Sequence, residues 1–133
     1  MYSIKVEQYF DSAHFLSNYI GKCRNIHGHS WKVAIEVRSE NLSHGMIVDF
    51  NDLKKEVKYL IDYFDHALII EKNSMREETL NCIQKDGFKV VVVDFRTTAE
   101  NFAYFFFENI KNKGYDVKKV EVYETSNNYA SYE

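Results

Sequence analysis

The chain has 133 residues, enough for one domain with one core, and it is 45% hydrophobic and 16% aromatic, which excludes a disordered polymer. A net charge of -3 gives no basic footprint for nucleic acid. No apolar run reaches membrane-spanning length, and two cysteines are too few for a disulfide scaffold. The opening residues show no signal-peptide character, so a cytoplasmic location with reduced thiols is expected. Ten Tyr and ten Phe suggest apolar surface to bury in an oligomer. No repeat or linker interrupts residues 1–133, and a single domain is the economical reading.

Residues 2–14 alternate as a strand, with Ile4, Val6 and Phe10 on one face and His14 continuing that register. Residues 27–38 alternate more cleanly: His27, His29, Trp31, Val33, Ile35 and Val37 share a face. The period then changes. Phe50, Leu53, Val57, Leu60, Ile61 and Phe64 mark one side of a helix, with Asp49 or Asn51 as cap. Residues 74–87 read as a short helix opened by Ser74 and Glu77, with Cys82 an idle thiol on the face of Leu80 and Ile83. Residues 89–94 read as a short extended segment. Thr97 and Glu100 have the spacing to open a helix carrying Ala99, Phe102, Ala103, Phe106 and Ile110, which Gly114 ends. A last strand, 117–125, puts Val120, Val122 and Glu124 on one face. This order predicts an α+β domain with an antiparallel sheet and helices on one side.

Histidines two apart on a strand point the same way, so His27 and His29 reach one metal ion. That pair alone more often means ordinary histidines in a sheet. His14, ending a strand on the matching face, supplies a third nitrogen, and three imidazoles with one open position suit a catalytic zinc. Cys23, flanked by Lys22 and Arg24, is then either a reactive thiolate or the fourth ligand of a structural zinc. Asp65-His66 reads as a proton relay or as a polar helix end. Glu124, a carboxylate on an apolar face, calls for a partner with paired donors: an Arg of the protein, or a ligand with two adjacent N–H groups. His44, beside Gly45, reads as a loop residue without a role.

Six stretches together resemble the family of 6-pyruvoyl- and 6-carboxy-tetrahydropterin synthases. They are Phe10-Asp11-Ser12-Ala13-His14, Cys23-Arg24-Asn25-Ile26-His27-Gly28-His29, Gly45-Met46-Ile47-Val48-Asp49-Phe50, Asp65-His66, Thr98-Ala99-Glu100-Asn101, and Tyr123-Glu124-Thr125 with Ala130 and Tyr132. The resemblance implies the tunnelling fold: an antiparallel sheet with two main helices on one face, subunits closing into a barrel as a trimer or dimer of trimers, and active sites at subunit interfaces. It implies Zn2+ on His14, His27 and His29, Cys23 as general base, Asp65 and His66 as relay, Glu124 as pterin anchor, and Thr98 as a pterin contact. The implied substrate is 7,8-dihydroneopterin triphosphate. Three residues separate Cys23 from His27, which resembles the bacterial 6-carboxy branch of queuosine biosynthesis; the animal pyruvoyl branch has a longer gap. Departures from the family pattern are Thr97 where proline is common, Ile69-Ile70 where Leu-Asn is usual, and a longer 71–89 segment. The same fold making 6-pyruvoyl-tetrahydropterin, a non-catalytic zinc- or pterin-binding module and a zinc hydrolase are the competing readings. For the triphosphate, Lys22, Arg24 and Lys32 are candidates.

Overall fold

The computed structural model describes residues 1–133. In chain order the elements are β1 (Tyr2–His14), a 3-10 turn (Lys22–Arg24), β2 (His27–Ser39), α1 (Phe50–Phe64), β3 (Ala67–Glu71), α2 (Glu77–Lys85), β4 (Val90–Val93), α3 (Ala99–Lys111), β5 (Val117–Thr125) and β6 (Asn128–Tyr132). They form one six-stranded sheet in the order β4-β3-β1-β2-β5-β6. The strands β1, β2, β5 and β6 are antiparallel neighbours, as expected. β3 and β4 add to the other edge in parallel, so the sheet is mixed.

The core lies between the sheet and α1 and α3. Val6 and Phe10 of β1, Trp31, Val33, Ile35 and Val37 of β2, and Val120 and Val122 of β5 meet Leu53, Val57 and Phe64 of α1 and Phe102, Ala103, Phe106 and Ile110 of α3. These are the period-2 and period-3.6 stripes of the sequence, packed against each other. Phe10, Phe64, Phe102 and Phe106 form a connected aromatic cluster with ring centroids 5.4 to 6.5 Å apart. Edge-to-face and tilted pairs at such distances add to the area they bury.

Five local expectations change. Residues 67–71 pair as a strand because Ala67, Ile69 and Ile70 are buried on both sides, as a parallel strand requires. A continuous apolar run of that length carries no alternation, and the sequence leaves it ambiguous. The chain after Thr125 turns back and pairs as β6, an exposed edge strand. Ser74 does not cap α2: its hydroxyl donates to the Glu71 carbonyl instead. Cys82 is exposed, whereas Leu80 and Ile83 are half-buried, so it does not share their face. Asp49 caps α1 as expected, accepting the Asn51 N–H at 2.7 Å. For α3 the cap moves one residue from expectation: Thr98 accepts the Asn101 N–H, and Thr97 is fully buried.

Removing Phe106, which is fully buried at the centre of the aromatic cluster, leaves a cavity that rigid neighbours fill poorly. Phe106→Ala is expected to lower unfolding free energy by about 3–5 kcal/mol, read from the shift of the urea midpoint.

Candidate metal centre and active site

The register of β1 against β2 builds the site. His14 pairs with His27, and Ser12 with His29, so the three imidazoles share one patch at the end of the core face. Their ring centroids are 4.7 to 5.2 Å apart. Below them lies Trp31, edge-on to His14 and His29. His14 is itself almost fully buried.

Two of the three rings are held from behind. The His14 Nδ1–H donates to the Thr97 carbonyl at 2.8 Å, and the His27 Nδ1–H donates to the Asn25 carbonyl at 2.7 Å. A carbonyl accepts only, so each contact fixes the tautomer and leaves Nε2 as a free lone pair, the arrangement common behind metal-ligating histidines. The Nε2 atoms of His14, His27 and His29 are all buried without a hydrogen-bond partner. Orphaned acceptors in a dry site are costly. A cation shared among the three removes that cost, so the donor set fits zinc.

The fourth member of the cluster is Glu124, not Cys23. A ligating atom from each of His14, His27, His29 and Glu124 lies within 4.8 Å of the others. Glu124 Oε1 is 2.7 Å from His29 Nε2, without hydrogen-bond geometry, and 3.5 Å from His14 Nε2. Its carboxyl is held below the usual range, chiefly by His14, with burial opposing and His29 assisting. Burial pushes the His29 imidazole down, which favours the neutral, ligating form, although Glu124 pulls against that shift. The partner that Glu124 requires is thus the histidine cluster rather than an Arg.

Cys23 sits half-buried in the 3-10 turn, its carbonyl accepting the Leu16 N–H at 2.8 Å. Asp65 and His66 are paired. Asp65 Oδ1 accepts the Asp11 N–H at 2.9 Å, and Asp65 Oδ2 lies 3.0 Å from His66 Nδ1. These bonds, the Asp11 N–H first, hold the Asp65 carboxyl below the usual range. His66 occupies a left-handed backbone (φ +57°), fixed by its N–H to the Asp11 carbonyl. The helix-end reading of His66 does not hold, because Lys89 Nζ donates to the carbonyls of Asp62 and Asp65 at the end of α1. His66 lines a cavity of about 690 Å³ with Asp11, Ala13, Gly28 and Ser30, on the face of the sheet turned away from α1 and α3; Ile83 of α2 and His29 also border it. No hydrogen bond joins Cys23 to His66 or to the three histidines within the chain.

Thr98 is committed to capping α3. Thr97 is the residue the sequence does not single out for the site: besides accepting from His14, its hydroxyl donates to the Phe15 carbonyl at 3.2 Å. Its only sequence signal is negative, the missing proline. His44 takes a left-handed backbone in a loop and carries no contact with the cluster.

The family model described as 6-pyruvoyl tetrahydropterin synthase matches residues 3–133. A Haemophilus influenzae protein named 6-carboxy-5,6,7,8-tetrahydropterin synthase is 36% identical, over 100% of this chain and 99% of its own. One of the same name from Aquifex aeolicus is also 36% identical, over 85% of this chain and 76% of its own. Among solved structures, the 6-pyruvoyl tetrahydropterin synthase of Caenorhabditis elegans superposes with a TM-score of 0.72 at 27% identity, covering 99% of this chain and 94% of its own. An uncharacterized protein of Wolinella succinogenes shares the fold at a TM-score of 0.80 and 22% identity, with 98% and 97% covered.

The Asp65 carboxyl titrates lower folded than unfolded (about 3.9 unfolded), so its bonds stabilise the fold above the unfolded value and fade as pH falls towards the folded one. Asp65→Asn is therefore expected to be less stable than the wild type at neutral pH, with the difference vanishing in acid. Urea midpoints across pH 2 to pH 7 (about that range) read this directly.

Proposed function

The chain belongs to the 6-pyruvoyl tetrahydropterin synthase family and is a tetrahydropterin synthase, a lyase, and on that premise we propose the branch, metal and mechanism it uses. The reaction is conversion of 7,8-dihydroneopterin triphosphate to 6-carboxy-5,6,7,8-tetrahydropterin, with release of triphosphate and acetaldehyde. The pathway is queuosine biosynthesis, in the cytoplasm. The observation that carries the metal-dependent chemistry is the convergence of three buried, unpartnered Nε2 atoms. The carboxy branch is favoured by full-length relatives of that name and by the three-residue gap from Cys23 to His27. Nucleic acid and membrane partners are not part of this reading; no helix is long and apolar enough to cross a membrane.

His14, His27 and His29 would hold Zn2+, with Glu124 beside it. Zinc there supplies Lewis acidity to the hydroxyls of the substrate side chain, which acidifies the adjacent C–H. The Cys23 thiolate takes that proton. His66, kept in one orientation by Asp65, relays or returns protons from Nε2. Glu124 fixes the pterin ring so that the substrate side chain reaches the metal position and Cys23, a positioning effect. Thr98 is assigned a pterin contact on the family pattern alone; its hydroxyl caps α3, its N–H donates to the Arg96 carbonyl and its carbonyl accepts the Phe102 N–H.

One chain does not bring Cys23 and the Asp65–His66 pair together, and an oligomer answers this. The sheet is open, with unpaired edges at β4 and β6. Tyr2, Tyr9, Tyr63, Phe88 and Tyr129 are more than half exposed. Open edges and exposed aromatics call for covering. A homotrimer or dimer of trimers would cover them and set His66 of one subunit against Cys23 of the next.

The same fold performing only triphosphate elimination, to 6-pyruvoyl-tetrahydropterin, is the second reading, in keeping with the C. elegans relative. Incubation with dihydroneopterin triphosphate, with zinc quantified in the same sample, decides: acetaldehyde supports the carboxy reading, and triphosphate loss without acetaldehyde supports the pyruvoyl one. No turnover by zinc-loaded protein sinks both and favours a binding module. Cys23→Ala is expected to abolish turnover with zinc still bound; loss of zinc would make Cys23 a ligand and overturn the mechanism. His27→Ala is expected to cost zinc itself, and dialysis against a chelator should remove activity that added zinc restores.

A further inference from the structure

A second cavity, of about 680 Å³, lies between the loop joining β1 to β2 and the turn joining β3 to α2; Asn18, Arg24, Lys72 and Asn73 stand in its walls. Arg24 and Lys72 make no ion pair and no side-chain hydrogen bond. Neighbouring cations are already engaged. Lys89 holds the carbonyls at the end of α1, and Arg96 donates to the Ser17 carbonyl at 2.9 Å. Lys32 lies 4.0 Å over the ring of Tyr123, away from this cavity. One acid, Glu71, faces the two bases, and its Oε2 accepts the Ser17 hydroxyl at 2.8 Å.

The backbone adds neutral donors. Leu16 and Cys23 close the loop by one hydrogen bond, and within it the N–H groups of Ser17 to Ile20 have no acceptor in the chain. Asn18 (φ +50°) and Asn73 (φ +65°), on opposite walls, are both left-handed. Left-handed residues turn successive N–H groups to one side, the geometry that cups oxyanions. Fixed cations with backbone donors in a cavity suit a polyphosphate better than a single carboxylate.

The cavity also adjoins the chemistry. Leu16 forms part of its wall and holds the Cys23 carbonyl, and Arg24 follows Cys23 directly. We infer that this cavity takes the polyphosphate tail of the substrate, with Arg24 and Lys72 as its cationic contacts. The inference rests on the reading of the substrate as a pterin triphosphate. A tail anchored here holds the three-carbon side chain beside Cys23 and gives the departing triphosphate a defined place. It also gives part of the 71–89 segment a role, since Lys72 and Asn73 open it.

Calorimetric titration of the zinc-loaded protein with inorganic triphosphate tests this without requiring turnover. Wild-type protein is expected to bind. Arg24→Gln and Lys72→Gln should each weaken binding by about tenfold, the loss of one charge-assisted hydrogen bond, while Lys55→Gln, on the exposed side of α1, binds as wild type. With the pterin triphosphate, both variants should raise KM far more than they lower kcat, at unchanged zinc content. Wild-type affinity in both variants, or no binding by the wild type, overturns the inference. Binding that survives in the variants but vanishes on zinc removal places triphosphate on the metal and overturns it too. Variant-sensitive binding by a protein that turns over no pterin triphosphate supports the anion site while breaking the proposed reaction.

Discussion

The pairing of β1 with β2 is the constraint on which the site depends. Side chains on paired antiparallel strands stand directly opposite, so the register that sets Phe10 against Trp31 in the core also sets His14 against His27 and Ser12 against His29. A slip of one residue would turn every histidine to the other face and every core residue with it. Packing and metal chemistry are therefore specified together. The apolar pairs that stabilise the sheet keep the imidazoles in place, and Trp31 packs edge-on against His14 and His29.

That packing has consequences for charge. Burial favours the neutral form of His29, and the carbonyls of Thr97 and Asn25 accept the Nδ1–H groups of His14 and His27. Three lone pairs converge on one point with a carboxylate beside them. Such a cluster is unfavourable by itself and would be favourable around a cation, which would recover the cost of folding it. Trp31 Nε1 is also buried without an acceptor, which adds to the polar strain next to the cluster.

The other face of the sheet carries the Asp65–His66 pair, at the mouth of a cavity that the same strands line. The two faces differ: one is closed by α1 and α3, and the other carries the polar groups of Asp11, Ser30 and His66. Between them, the loop from β1 to β2 carries Cys23 and links the metal patch to the cationic cavity. That loop is closed by Leu16 to the Cys23 carbonyl and tied to its neighbours by Thr97 at the Phe15 carbonyl, Arg96 at the Ser17 carbonyl and the Ser17 hydroxyl on Glu71.

The sequence by itself determined the two long strands, α1, α3 and their buried faces, because periods of 2 and 3.6 are read locally. It also determined that His14, His27 and His29 lie at the ends of those faces. It left β3 and β6 unassigned, since a short apolar run in a parallel pair and an exposed edge strand carry no alternation. It placed the α3 cap one residue early, because Thr97 and Thr98 are chemically alike and only the buried hydrogen bond to His14 separates them. Which residue completes the histidine cluster was decided by tertiary structure alone. Cys23 is near the histidines in sequence, yet β5 brings Glu124 to them across the sheet from almost a hundred residues away (about that separation follows from the β2–β5 pairing). Sequence spacing records neighbours along the chain, whereas the ligands of a site are neighbours across strands, and only the fold supplies that second distance.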